Sequence, residues 1–441
     1  MKLYLDCKKL FSAIVVIILI ATPLVFSSAQ TVEDLQNKIS QKNSDIDALE
    51  KEIVAFQSQL DDLGQQKNSL NNSLKELDLT RKKLNADIAV TQKKIDKTNF
   101  TIQSLSSDIS HKQNSIATNI ESISTGIKNT NEFEETNILG TLLSENNFTE
   151  IWNDVDNIVT IREKLKDSIV KLKQIKGQLE DTRQETIDAK NELTRLKSRL
   201  GDQQKIVAQN TNEKNKLLKQ TKNNEANYQK LLSDTLAKKD AFEKEVRDYE
   251  AQLQFTLDPS KLPSGGVLSW PLDSIYVTQL FGKTVASKRL YTSGSHSGVD
   301  FKASIGTPVK AMADGVVMGT GNTDDTCFGT SFGKWVFIKY NNGLSSAFGH
   351  LSLIKASEGQ NVARGEVVGY SGNTGHTTGP HLHVSVYVSS AAGVQQRPST
   401  TCEGRVYTMP LAPTAAYLDP LYYLPKLPSN LISPSGRAAS D

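Results

Sequence analysis

Between Val32 and Ile123 the chain repeats an apolar residue at nearly every seventh position, a spacing that admits little besides a long helix with one buried seam. One set of positions runs through Val32, Ile39, Ile46, Ile53, Leu60 and Leu74 to Ile123, with Lys67 and Arg81 as its polar members. The second set contains Leu35, Leu49, Phe56, Leu63, Leu70, Leu77, Leu84 and Leu105. Followed without a break, the register predicts one helix of about 140 Å. Ile at one seam position and Leu at the other is the preference of a two-stranded parallel coiled coil, but an antiparallel hairpin within one chain uses the same stripe. A denser apolar segment from Phe133 to Val155, containing Gly140 and Asn146-Asn147, reads as a turn region. The heptad pattern returns through Ile158, Leu165, Leu172, Leu179 and Leu200, and helical composition continues to Gln252. Two comparable helical stretches around a break predict a hairpin over residues 30–255, which buries both stripes in one chain; a dimerising rod is the alternative. Oligomeric state stays open.

The flanks of this region read differently. A basic start with Lys2, Lys8 and Lys9 precedes an apolar run from Phe11 to Phe26, and Ser27-Ser28-Ala29 offers small residues for cleavage. Residues 1–29 are therefore expected to be an export signal cleaved after Ala29, with an uncleaved anchor as the alternative. Export permits a disulfide between Cys327 and Cys402, the two cysteines outside the leader, with free thiols or metal ligation as the other readings. The formal net charge of +2 gives no electrostatic case for nucleic acid as a partner.

Gly, Pro and aromatic residues become frequent from Leu257 onward. Pro259, Pro263 and Gly265-Gly266 mark a linker over residues 256–267. Residues 268–425 carry short strand-like runs: Tyr276–Phe281, Val299–Phe301, Val309–Met318, Lys334–Tyr340, Ser346–His350, Val367–Tyr370 and His381–Val388. Gly-containing turns between them predict mainly antiparallel β structure, and residues 426–441 read as a flexible tail. The fold class predicted is an all-α antiparallel coiled-coil hairpin followed by a mainly antiparallel β domain.

Five of the six His residues lie in this β region; His111 sits on the helical repeat and reads as solvent-facing. The words are His296-Ser-Gly-Val-Asp300, Phe348-Gly-His350-Leu and Gly379-Pro-His381-Leu-His383. On a strand, His381 and His383 point to one side while Leu382 points into the core. Neutral imidazoles bind zinc, and an Asp completes a three-ligand shell with one position open. Residue types alone do not choose which three groups bind. His376, among Asn373, Thr374, Gly375, Thr377 and Thr378, reads as a loop residue, with substrate contact as its other role.

Taken together, these words resemble the lysostaphin-type, or LytM-type, zinc peptidases. The resemblance covers Trp270 to Leu424 and includes Val277-Thr-Gln-Leu-Phe-Gly282, Gly306-Thr-Pro-Val309, Ala313-Asp-Gly-Val-Val317, Gly365-Glu-Val-Val-Gly369 and Asp419-Pro-Leu421. It implies an antiparallel β metallopeptidase domain with Zn²⁺ on His296, Asp300 and His383, and catalytic roles for His350 and His381. It also implies a zinc endopeptidase of peptidoglycan stems or cross-bridges, exported to the periplasm or outside the cell. Val384 and Ser385 depart from the aromatic and acidic residues usual after the His-x-His word, and Asp324–Thr330 is unexplained by the motifs. A coiled coil before such a domain resembles division-associated members, some of which lack metal ligands and activate other wall hydrolases; this chain keeps all five residues. A divisome or envelope protein is then the expected partner of the coil, either at the Phe133–Val155 break or by moving the helices off the catalytic groove.

Overall fold

The computed structural model describes residues 32–64, 69–135, 148–283 and 295–434. The leader, the centre of the Phe133–Val155 segment and the end of the tail lie outside the described residues. Helices α1 (Val32–Gly64), α2 (Leu70–Glu135), α3 (Phe148–Thr221) and α4 (Glu225–Gln252) precede twelve short strands and a final one-turn helix, α5 (Pro420–Tyr423). The predicted class, helical and then mainly antiparallel β, is borne out. No described helix is long and apolar enough to cross a membrane.

The unbroken register is not. The chain leaves the helix after Gly64 and begins α2 at Leu70, where the Ser69 hydroxyl caps by accepting from Asn72 N at 3.2 Å. A second interruption follows α3, where Lys222 and Asn223 adopt φ of 50° and 55° and Asn224 caps α4. The seam therefore folds back earlier than the sequence pattern indicates.

The chain divides into two compact units, Met1–Asn43 with Asp96–Leu193, and Ser44–Ile95 with Thr194–Asp441. In the first, α1 opposes α2 antiparallel, with Lys42 3.7 Å from Asp96, and α2 opposes α3, with Lys112 donating to Thr182 at 2.8 Å. Leu35 and Leu179 are buried there, while Ile120, Ile127, Ile169 and Val170 stay exposed. In the second unit, the helical portion pairs Lys93 with Asp45 at 2.8 Å and Lys214 with Asp78 at 2.7 Å. Buried Leu63, Leu70, Leu84, Val90 and Ile206 hold it, because exposed ion pairs contribute little.

The β domain belongs to the second unit. Strands β1 (Val277–Gln279), β2 (Val299–Lys302), β3 (Pro308–Lys310), β4 (Gly315–Asn322), β5 (Lys334–Tyr340), β6 (Leu344–Ile354), β7 (Asn361–Val362), β8 (Val367–Ser371), β9 (His381–Val388) and β12 (Tyr417–Leu418) form one antiparallel sheet. Its spine runs β1-β2-β9-β6-β5-β4-β7. The run Val309–Met318, expected as one strand, is split between β3 and β4. A separate hairpin, β10 (Gly393–Pro398) with β11 (Val406–Leu411), was not legible as strands. Alternation along β9 divides the interior: Leu382, Val384 and Val386 enter one core with Val336, Ile338 and Phe348. Tyr387, on the opposite face, joins Trp335, Phe337, Tyr407 and Met409 in a second core.

Helix α4 closes that second core. Phe242 is 0% exposed, its ring centroid 5.1 Å from that of Tyr407, and Val246 lies one turn on. Glu245 accepts from Ser399 Oγ, Thr400 N and Thr401 N, beside the disulfide that joins Cys327 to Cys402 with Cα atoms 6.0 Å apart. Glu250 accepts from Tyr417 Oη at 2.7 Å and Ala412 N at 3.2 Å.

Burial pushes the Glu250 carboxyl up to about 7, against the hydrogen bonds from Tyr417 and Ala412; Glu243 and Arg247 on α4 and Tyr387 from β9 also bear on it. A carboxyl raised in the folded state favours folding fully below its ordinary 4.5 and loses that contribution as pH rises through about 7. The swing is on the order of 3 kcal/mol. The thermal stability of the wild type should therefore fall between pH 5 and pH 8 relative to Glu250→Gln, whose amide oxygen still accepts both bonds. A constant gap between the two proteins over that range would contradict this.

Candidate metal centre

Register brings the chemistry together. In the β2–β9 pair Asp300 lies opposite His383, and in the β6–β9 pair Gly349 lies opposite His383. His296 arrives just ahead of β2 through a bridge to Gly282. The intervening Gly298 has a packing reason: a Cβ there would sit 2.4 Å from Val384 O and 2.7 Å from the His383 ring. Every side chain singled out in the His-x-x-x-Asp and His-x-His words thus meets at one point on the sheet.

His383 Nδ1 is 2.9 Å from Asp300 Oδ1 and 3.1 Å from His296 Nε2, and His296 Nε2 is 3.3 Å from Asp300 Oδ1. All three residues are buried, and one ligand atom from each lies within 4.8 Å of the others. A tetrahedral zinc with bonds of about 2.0–2.2 Å has ligand–ligand edges of about 3.3–3.5 Å, so the triangle is close to the size such an ion needs. The donor set fits zinc in kind as well as size. Burial alone would raise the Asp300 carboxyl, but His296 and His381 beside it, and the close ring nitrogens of His296 and His383, hold it well below the usual carboxylate range. It is therefore an anionic donor.

Two more imidazoles stand next to this triangle. The His350 and His381 ring centroids are 4.6 Å apart, and His381 Nε2 is 3.6 Å from Asp300 Oδ1. With its proton on Nδ1, His350 donates to Thr374 O at 2.8 Å; His381 donates likewise to Gly379 O at 2.8 Å. Each then presents a bare Nε2. Burial, followed by the neighbouring His381 and His383, lowers the His350 pKa well below the ordinary imidazole value, which keeps the ring neutral. His350 also holds φ of 61°, a strained conformation for a residue with a Cβ, while its N–H donates to Phe332 O at 2.7 Å.

His376 is not among these five; it lies on the loop after β8 and lines the same groove, its Nδ1 3.7 Å from Glu243 Oε1. His111 is exposed on α2. The Asp324 carboxylate accepts from Gly329 N and Gly375 N, so the unexplained Asp324–Thr330 insertion braces the His376 loop. Sequence reasoning missed the far wall of the groove. Glu243, Val246, Arg247 and Glu250 of α4 face His296, His350 and His383 across it. The apolar spacing of Phe242, Val246 and Tyr249 was the available signal, though it also fits continuation of the coil.

Residues 294–398 match the model of peptidase family M23. The chain is 41% identical over 100 residues to the DD-carboxypeptidase/endopeptidase Mpg of Neisseria meningitidis serogroup B, covering 23% of this chain and 22% of that protein. It is 44% identical over 93 residues to the peptidoglycan DD-endopeptidase ShyA of Vibrio cholerae, covering 21% and 20%. It thus spans roughly a fifth of the length of these relatives. Among solved structures, a putative peptidase M23 from Pseudomonas aeruginosa is 30% identical with a TM-score of 0.26, covering 43% of this chain and 62% of that one. The lysostaphin catalytic domain from Staphylococcus simulans is 28% identical with a TM-score of 0.23, covering 34% and 86%.

An antiparallel sheet carrying a buried His/His/Asp triangle beside two further imidazoles defines a metallopeptidase-type domain with a zinc site. The match to peptidase family M23 covers residues 294–398, the stretch of the chain that carries this site.

Proposed function

We propose that this chain is a zinc-dependent endopeptidase that hydrolyses peptide bonds in peptidoglycan stems or cross-bridges, exported to the periplasm or the cell exterior. The observation that carries this reading is the convergence of His296, Asp300 and His383 beside the bare Nε2 atoms of His350 and His381. His296, Asp300 and His383 would hold the ion, which supplies Lewis-acid polarisation at the scissile carbonyl. His350 and His381, locked by backbone carbonyls, take a proton from the attacking water, steady the oxyanion and pass a proton to the leaving amine. Support for peptidoglycan as substrate comes from the named activity of relatives such as ShyA.

Because α4 faces the centre, we propose that it restrains access until an envelope or divisome partner moves the helices. The same covered groove favours the second reading, a non-catalytic activator of another wall hydrolase. Cross-linked peptidoglycan digested with the zinc-loaded chain, intact or with α4 loosened, separates the two by mass spectrometry. Chelator-sensitive new peptide termini are expected. His350→Ala and His381→Ala should each keep zinc and lower turnover by about 10²- to 10⁴-fold. Glycan or amide cleavage alone, seen only with a second hydrolase present, would hand the case to the activator.

A further inference from the structure

The imidazoles of this centre are not all fixed in the same way. His296 Nδ1 lies 3.1 Å from Leu280 O, and His350 and His381 each meet a backbone carbonyl through Nδ1. Only His383 among these four has its outward nitrogen on a side chain: Nε2 is 2.8 Å from Ser385 Oγ. Resting on the zinc reading above, we infer that Ser385 is a positioning residue that sets the tautomer of the ligand His383 and thereby the affinity for the metal.

The geometry follows from the strand. His383 and Ser385 are two residues apart on β9 and so share a face, and Ser385 is 0% exposed. A neutral imidazole carries one ring proton. To donate from Nδ1 toward the triangle, His383 must hold that proton on Nε2, and a buried N–H needs an acceptor. Ser385 Oγ is that acceptor. The competing tautomer is close at hand: a proton on Nδ1 would donate to Asp300 Oδ1, 2.9 Å away, tying two ligand atoms to each other. Once Nδ1 is given to the metal, Ser385 Oγ holds the remaining proton on Nε2 and so supports the ligating form. Partners that orient a ligating imidazole in this way set metal affinity over about ten- to a hundredfold.

The test uses the full chain and Zn²⁺ alone, with affinity measured by competition against a chromogenic chelator. Ser385→Ala is expected to weaken zinc binding about ten- to a hundredfold, while Ser385→Thr, which restores a hydroxyl, stays within about threefold of wild type. Ser345→Ala, which removes a buried β6 hydroxyl bonded to Ser389 at 2.9 Å, reports the generic effect of losing a strand serine and should leave affinity unchanged. Nitrogen NMR of ¹⁵N-histidine-labelled protein gives a second readout. Zinc-loaded wild type should carry the His383 proton on Nε2, and the metal-free Ser385→Ala chain should carry it on Nδ1. Wild-type affinity in Ser385→Ala, an equal loss in Ser345→Ala, or a zinc-loaded wild type protonated at Nδ1 would each overturn the assignment. If the wild type itself takes up no zinc, the zinc reading fails and this one with it, a result distinguishable from failure of Ser385 alone.

Discussion

His383→Ala is expected to leave the protein without zinc and to lower peptide turnover by roughly three orders of magnitude or more. The size of the effect comes from the position of this side chain at the middle of the site. It touches both other members of the triangle, Asp300 at 2.9 Å and His296 at 3.1 Å, and its ring centroid is 5.7 Å from that of His350. Removing it leaves a bidentate site and a buried carboxylate short of one partner, an unfavourable arrangement even before metal is considered. Elemental analysis should find about one zinc per wild-type chain and essentially none in the variant. A variant that keeps its metal would sink the assignment of His383 as a ligand.

Phe242→Ala, far along the sequence from any His, is expected to raise cleavage of a soluble peptide by the zinc-loaded full chain. Phe242 anchors α4 on the β domain, and emptying such a buried aromatic position removes about 3–5 kcal/mol. Glu245 and Glu250 still hold the helix through the 399–401 loop, Ala412 and Tyr417. Since about 1.4 kcal/mol is a tenfold change in an equilibrium, the uncovered fraction should grow by about a hundredfold or more until it dominates. Turnover rises by the same factor up to that ceiling. Zinc content serves as the control, because Phe332 packs in the same core and its ring centroid is 5.7 Å from that of His383. Equal rates with equal zinc would remove the restraining role and leave α4 as a spacer.

The parts of this molecule that were legible in its sequence are those where one residue type has one structural use. The His-x-His word on an apolar strand, the His-x-x-x-Asp word with its obligatory small residue at Gly298, and the Ile/Leu seam each carry their own geometry. The break between α1 and α2 was hidden because the seven-residue count passes through it undisturbed; Gly64, Lys67 and the capping Ser69 were its signals. The β10–β11 hairpin offered no alternation in Gly393–Pro398. Its place depends on tertiary partners instead, with Arg397 3.2 Å from the Tyr249 ring centroid and Gln395 accepting from Tyr249 Oη at 2.9 Å. Likewise the stripe of α4 states that the helix buries one face, not which surface it buries it against. Ser385 stood out only as a departure from the acidic residue usual after the His-x-His word; a strand serine has no stated role until its neighbour is known to be a ligand.

The pairing of Asp300 with His383 across β2 and β9 also makes the metal a witness to how the sheet has assembled. Side chains alternate along a strand, so a slip of one residue between β2 and β9 would set Val299 or Phe301 opposite His383 and turn the carboxylate to the other side. Such a chain keeps its strands but lacks the third donor and turns Val299 and Phe301 out of the core. Zinc then acts as a selector: it binds the correctly registered sheet, adds its binding free energy to that state alone, and leaves misregistered copies unsupported.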